Sequence, residues 1–319
     1  MDPLQGWVYT VTGRVSAASG GIWLPHEHVL VDFGGAATAG PHRYRADAVV
    51  AAVLPFLQQA YALGIRWLTE CSPEWLGRDV RVLHRLARLT GMRLIAPTGW
   101  YGAAEDRFLP ASIASETPDS LSRRWITEWR QGIDGTSIRP GFIKIGVDPG
   151  MPAPDPMLVQ AAARTHLTTG LTIASHTTSG KDALRQLDML QQAGVSGDAF
   201  IWVHAHAEAD RSLHREAARR GAWLEYDGLS PDSLEQHIDL IQWAQAHDMG
   251  GQILVSHDAG WYQADLPDGG TFRAYDTLST QLIPALKRVG WNDVQLASLL
   301  ERQPARAFTC RVRSSNRRG

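Results

Sequence analysis

Short apolar runs alternate with stretches of helical periodicity along this chain, and that alternation restricts the fold more than any other feature. The strand candidates are GIWLPHEH, IRWLTECS, RLIAPTGW, GFIKIGVD, LTIASHTT, FIWVHAHA, AWLEYDG and QILVSHDA, eight in all. Between them, apolar residues fall at helical spacing in DAVVAAVLPFLQQAYALG, RVLHRLARLTG, MLVQAAARTHLTTG, ALRQLDMLQQAG, RSLHREAARRG and LEQHIDLIQWAQAHDMG. Several of these end in Gly just before the next strand, where a helix C-terminus favours a left-handed residue. Strand then helix, repeated through 319 residues, specifies the α/β class and a (β/α)8 TIM barrel rather than an open doubly wound sheet. No glycine-rich phosphate loop follows the first strand, which argues against a dinucleotide fold. WVYTVTGRVSAASG reads as a short N-terminal β-hairpin within about residues 1–20, and the basic tail RVRSSNRRG, about 311–319, is expected to fray. No linker-like shift in composition interrupts the chain, so residues 1–319 read as one domain.

Charge narrows the function classes. Lys plus Arg total 31 against 33 Asp plus Glu, a net charge of -2, so no electrostatic footprint for nucleic acid or an anionic membrane is present. Cys71 and Cys310 cannot make a disulfide framework, and a reducing compartment is the simpler setting. The N-terminus MDPLQGWVYTVTG lacks the charged start and apolar core of a secretion signal, and no apolar run reaches membrane-spanning length. A cytoplasmic protein acting on a small molecule is expected. Most of the 12 Trp residues should pack in the core or under helices, with a few left to line a pocket.

Residues 24–29, LPHEHV, place two histidines one residue apart on a strand, where side chains at i and i+2 share a face. Alone, such a pair reads equally as a metal grip or as two unrelated surface residues. The other strand ends decide. In a barrel of this kind the chemistry sits where the strands finish, and the ionisable residues there are His26, His28, Lys144, His176, His204 and Asp258. Imidazole and carboxylate together suit zinc and similar divalent ions. Lys144 is the odd member, because an ammonium repels cations; a buried lysine can nevertheless lose its proton and react. Captured carbon dioxide would turn it into a carbamate with two oxygens able to bridge two metals.

PHEH, IRPGFIKIG, AAARTHLTTGLTIASHT, WVHAHAEAD, VSHD and ERQPARAF, in this order and spacing, resemble the phosphotriesterase-like family of the amidohydrolase superfamily, phosphotriesterases and phosphotriesterase-like lactonases, from roughly residue 10 to residue 309. The resemblance implies a binuclear metal centre. His26, His28 and Asp258 would hold the buried ion, His176 and His204 the more exposed one, and N6-carboxylated Lys144 would bridge them. Zinc is the first expectation, with cobalt or manganese as alternatives. A hydroxide shared by the ions would attack the substrate, with Asp258 accepting its proton. The expected assembly is a homodimer, and no organic cofactor is needed.

Alternation puts His204 and His206 on one face, so spacing leaves either as the ligand; the family pattern favours His204, and His206 then supports the site or touches substrate. His257 should face away from the barrel axis and serve hydrogen bonding, and Glu27 should orient the metal histidines. Tyr101 falls where lactonases of the family carry a tyrosine near the metals. Asp227, at the seventh strand end, is expected to touch the site as a substrate contact. The segment AGWYQADLPDGGTFRAYD reads as a long lid loop, with Trp261, Tyr262 and Phe272 selecting substrate. Two positions depart from the family. Ala207 stands where phosphotriesterases have a proton-route aspartate, leaving Glu208 or His206 as substitutes. Gly228 stands where the family's acyl-homoserine lactonases place an arginine and phosphotriesterases a histidine. The expected function is hydrolysis of a carboxylic ester, above all a lactone, with phosphotriesterase activity as a side reaction. The alternatives are an amidase for a small N-acyl compound, an organophosphate phosphotriesterase, and a catalytically idle metal-binding barrel. The intact ligand set argues against the last.

Overall fold

The computed structural model describes residues 6–315 and is the (β/α)8 barrel that the alternation requires. An antiparallel hairpin of β1 (Trp7–Thr10) and β2 (Gly13–Ser16) comes first. The parallel strands follow: β3 (Ile22–Val31), β4 (Ile65–Glu70), β5 (Arg93–Ile95), β6 (Pro97–Thr98), β7 (Phe142–Gly146), β8 (Thr172–His176), β9 (Phe200–Val203), β10 (Trp223–Tyr226), β11 (Ile253–Val255) and β12 (Gly260–Gln263). Two of the eight barrel strands come in two pieces. In the third, β5 pairs with β4 and β6 with β7, with the break at Ala96. In the eighth, β11 pairs with β10 and β12 with β3. The supposed lid loop therefore begins as a barrel strand.

Helices α1 (Ala46–Ala62), α2 (Val80–Thr90), α3 (Pro118–Gln131), α4 (Asp155–Thr169), α5 (Gly180–Gln192), α6 (Arg211–Arg219) and α7 (Leu234–Ala246) cover the barrel. Helix α2 shows why the boundaries fall where they do. Asp79 caps it by accepting from the Arg81 and Val82 amides, Leu83, Leu86 and Ala87 bury one face, and Gly91 closes it at φ 74°. Helix α3 was not among the predicted segments, although Thr117 and Ser120 form a capping box and Leu121 and Trp125 lie buried one turn apart. No helix among the described residues is long and apolar enough to cross a membrane.

The apolar residues divide into two layers. Leu24, Leu68, Ile143 and Ile173 face the helices, while Trp23, Trp67, Ile95, Phe142, Leu254 and Phe308 fill the barrel interior below the site. Trp23 stacks on Trp67 with ring centroids 4.2 Å apart, and Phe308 stacks on Trp23 at 5.6 Å. The expected frayed tail needs correction. Arg313 is buried and its guanidinium reaches the Ala307 and Thr309 carbonyls, while Ser315 donates to the Gly194 carbonyl. The polar side chain, not the hydropathy of the segment, docks it. Residues 316–319 and 1–5 lie outside the described part.

Candidate active site

An irregularity in β3 aims the two histidines. Trp23 points into the barrel interior, so strict alternation would turn His26 and His28 outward. The register against β4 shifts between Leu24 and Glu27, where three steps along β3 face two along β4. Pro25, which has no amide to donate, sits in this bulge. The extra residue turns His26 and His28 inward and Glu27 outward. Glu27 then ties down the break in the eighth strand: it accepts from Ser256 Oγ (2.7 Å), His257 Nδ1 (2.7 Å) and the amides of His257 (3.0 Å) and Ala259 (2.9 Å). It orients Asp258 rather than the histidines. His257 has the structural role expected, since its Nε2 also accepts from the Leu278 amide at 3.0 Å.

Asp227 requires a correction. Expected to touch substrate, it is 0% exposed and does not line the cavity. Its Oδ2 lies 2.5 Å from His26 Nδ1 and its Oδ1 2.8 Å from His204 Nδ1. An ionised carboxylate only accepts, so both Nδ1 atoms carry a proton, which leaves Nε2 as the atom each ring can offer a metal. Burial works against the anion, but His204 and His26 outweigh it and hold the Asp227 carboxyl well below its usual range. Ser72 does the same for His28: its hydroxyl donates to Glu70 Oε1 at 2.6 Å and so accepts from His28 Nδ1 at 2.8 Å. Neither Ser72 nor Glu225, whose Oε2 is 3.4 Å from His26 Nδ1, was singled out from sequence. The inward register of AWLEYDG, with Glu225 on the face of Trp223, carried the signal for Glu225, whereas Ser72 lies beyond the end of β4 and off its inward face.

Around these imidazoles the other predicted residues gather. Ligand atoms of His26, His28 and Asp258 lie within 4.8 Å of one another. Asp258 Oδ1 stands 3.1 Å from His28 Nε2 and 3.6 Å from His26 Nε2, yet is aligned for a hydrogen bond with neither. Burial opposes ionisation of Asp258, and the two histidines overcome it and keep the carboxyl below its normal range. His176 and His204 rings are 4.3 Å apart, and His26 and His204 rings 5.3 Å. Burial, with His204 and Lys144 alongside, lowers the His176 pKa well below that of a free imidazole, which favours a neutral ring with a lone pair to offer. Lys144, one step above Phe142 on the inner face of β7, is 1% exposed and its Nζ has no hydrogen-bond partner. An unpaired buried amine among five converging nitrogen and oxygen donors suits metal ions between them.

His204 and His206 are separated by backbone, not by strand alternation. Strand β9 stops at Val203, His204 is left-handed at φ 65°, and a 3-10 turn covers Ala205–Ala207. His204 lines the cavity; His206 does not, its Nδ1 lying 2.9 Å from Asp227 Oδ1 without hydrogen-bond alignment. Gly228 is left-handed at φ 78°, and a Cβ there would stand 2.9 Å from His206 Nε2, so His206 occupies the space an arginine or histidine at 228 would need. Glu208 does not line the cavity either, and its oxygens accept from the Gly180 and Asp210 amides, both at 2.8 Å.

The cavity has a volume of about 280 Å³ and is lined by His26, His28, Val31, Phe33, Leu76, Tyr101, Ala104, Arg107, Phe108, Lys144, His176, His204, Asp258 and Trp261. Tyr101 and Trp261 both belong to this lining. The Tyr101 ring lies edge-on to His176 at 5.2 Å, and Trp261 edge-on to His28 at 5.8 Å. Tyr262 is a correction: as the next residue on β12 it faces the opposite way and packs on Gly269. Phe272 likewise turns away, against Phe56 and Tyr275. Arg107 and Phe108, in the loop after β6, were not foreseen.

The sequence model of the phosphotriesterase family matches residues 6–308. The chain belongs to that family. It is 27% identical to the phosphotriesterase homology protein of Escherichia coli strain K12, over 90% of this chain and 98% of that protein. It is 26% identical to an N-acetyltaurine hydrolase of Rattus norvegicus, over 97% and 99% of the two chains. A solved structure of a double mutant of the organophosphorus hydrolase from Deinococcus radiodurans superposes with a TM-score of 0.83 at 27% identity, covering 95% of this chain and 96% of that one. As a member of the phosphotriesterase family the chain is a hydrolase, and two groups of its residues, His26 with His28 and Asp258 and His26 with His204 and Asp227, are candidates to hold a metal ion.

Proposed function

We propose that this phosphotriesterase-family protein is a binuclear-metal hydrolase of small acyl compounds, with a carboxylic ester, above all a lactone, as its best substrate. The observation that carries the reading is the convergence of His26, His28, His176, His204 and Asp258 on the buried, unpartnered Nζ of Lys144. His26, His28 and Asp258 would hold one ion and His176 and His204 the other. Carboxylated Lys144 would lie between the ions, replacing an unpaired buried cation by an anion between cations. When bound, the ions lower the pKa of water and polarise the acyl oxygen; zinc is the first choice for these donors, with cobalt or manganese next.

The chain's own residues do the rest. Asp227 keeps His26 and His204 in the tautomer that offers Nε2. Asp258, ionised and with Oδ1 unpartnered, accepts the proton released as the nucleophile attacks. Tyr101 and Trp261 position the substrate against apolar walls that exclude water. The protein works in this reading as a cytoplasmic homodimer on a small molecule, without nucleic acid or membrane. A second reading, amide hydrolysis of a small N-acyl compound, is supported by the likeness to N-acetyltaurine hydrolase across nearly the whole chain.

Elemental analysis after reconstitution is expected to find about two divalent ions per chain. One zinc-loaded preparation should then be assayed on lactones, N-acyl amino acids and phosphotriesters. Lactones are expected to exceed paraoxon-like triesters in kcat/KM by at least roughly a hundredfold, about 2.7 kcal/mol of transition-state preference. Triester turnover at or above that of every lactone would overturn the lactonase assignment, and N-acyl compounds in the lead would make the amidase reading the better one.

A further inference from the structure

We propose that Arg107 makes the cavity mouth an anchor for an anionic group, so that the substrate carries a carboxylate or sulfonate remote from the bond that is cut. The hydrolase reading of the deep half underlies this inference, but the anchor stands on observations of its own. Outside the converging histidines, Asp258 and Lys144, Arg107 is the one charged side chain on walls that are otherwise apolar or aromatic. Its guanidinium takes part in no ion pair or side-chain hydrogen bond among the described residues, although Glu105 and Asp106 precede it directly. What it does meet is the Phe108 ring, 5.9 Å from the guanidinium carbon.

The loop beneath it is held in an unusual shape. Ala104, Glu105 and Asp106 have φ of 66°, 58° and 58°, a left-handed run that L-residues avoid. The Asp148 carboxylate holds that run by accepting from the Ala104 amide at 2.9 Å and the Glu105 amide at 2.8 Å. Gly35 leaves room for the stem of the arginine, since a Cβ at 35 would stand 3.1 Å from Arg107 Cγ. Backbone strain sustained by a dedicated carboxylate fixes where the loop carries Arg107, whose side chain is exposed. Asp148 is thus a positioning residue for Arg107. A free guanidinium at an apolar mouth offers paired, charge-assisted hydrogen bonds to the planar edge of a carboxylate or to two sulfonate oxygens. The volume of about 280 Å³ limits the rest of such a substrate to a short chain.

The test is calorimetric binding of two probes with the same acyl chain to the metal-reconstituted protein: N-acetyl-3-aminopropanesulfonate and the uncharged N-propylacetamide. The sulfonate is expected to bind at least about tenfold more tightly at low salt, with the advantage shrinking as salt is added. Arg107→Met should bring the two probes within about twofold, and Arg107→Lys should retain part of the preference. Asp148→Ala should reduce the preference with Arg107 still present, a change in the ratio that general loosening of the fold would not produce. Equal binding of both probes to the unmodified protein, no sulfonate binding at millimolar concentration, or an unchanged preference in Arg107→Met overturns the anchor. Hydrolysis is measured separately. An Arg107-dependent sulfonate preference with no acyl turnover would sink the hydrolase reading and leave the anchor standing, whereas turnover without preference would do the reverse.

Discussion

At the deep end of the cavity, His26, His28 and His204 are each gripped through Nδ1 by a buried carboxylate or hydroxyl, whereas at the mouth Arg107 and Trp261 ride on left-handed backbone with almost no polar partners. The deep residues sit on or directly after barrel strands, so the sheet fixes them. The mouth residues sit on a loop and on a strand edge, each steadied by one or two contacts. The contrast implies that chemistry and selectivity can be altered separately: substitutions below should cost metal and rate, and substitutions above should change which molecule is accepted.

The largest effect should come from Lys144→Ala, which is expected to lose metal and at least about a thousandfold in kcat/KM, roughly 4 kcal/mol. A short carboxylic acid in solution should restore part of both; elemental analysis and kinetics on one sample check it, and full activity without the lysine would end the carbamate idea. Asp227→Asn should follow, with a loss of about ten- to a hundredfold in metal affinity or activity, because an amide cannot accept from two imidazoles as the carboxylate does. Next, His204→Ala should lower metal occupancy while His206→Ala leaves it intact. The reverse result would move the ligand role to His206 and blur the line between deep end and surroundings. At the mouth, Trp261→Ala should shift KM by about tenfold with metal content unchanged, the mark of lost ground-state binding.

The smallest expected effect is a pH dependence beneath the mouth. Asp155, buried at the start of α4, accepts from the Asp148 amide at 2.8 Å. Burial, joined by the Asp106, Asp148 and Asp182 carboxylates, pushes Asp155 up from 3.8 to about 7 against that hydrogen bond. Between those values the folded chain holds the proton that the unfolded chain has lost, so stability falls as pH rises through the window. Asp155→Asn should flatten the fall. Melting curves from pH 4 to 8 measure it, and equal slopes for the two proteins would refute the assignment.

The barrel and its deep residues were legible because both depend on short-range pattern: strands alternating with helices, and ionisable residues at strand ends. What escaped depended on departures from that pattern. The bulge at Pro25 shifts alternation by one, and only the paired strand reveals it. His204 and His206 share a face on paper, but the chain leaves the strand at Val203 before either can use it. Asp227 was correctly located and wrongly employed, since its partners come from strands distant in sequence. Arg107 lies in a loop whose shape is set by Asp148, some forty residues further on, and no local propensity announces a left-handed run of three such residues. Arg313 docks a tail that composition alone marks as loose.

The Trp23 and Trp67 stack, closed over by Phe142 and Phe308, has a consequence for traffic. Among the described residues it fills the barrel interior below the site, so a molecule in the cavity finds packed aromatic rings on that side. Fragments of whatever is cleaved there would leave on the side of Trp261 and Phe108, away from the stack. A ring-opened product, being one molecule instead of two, would need only one departure from such a pocket.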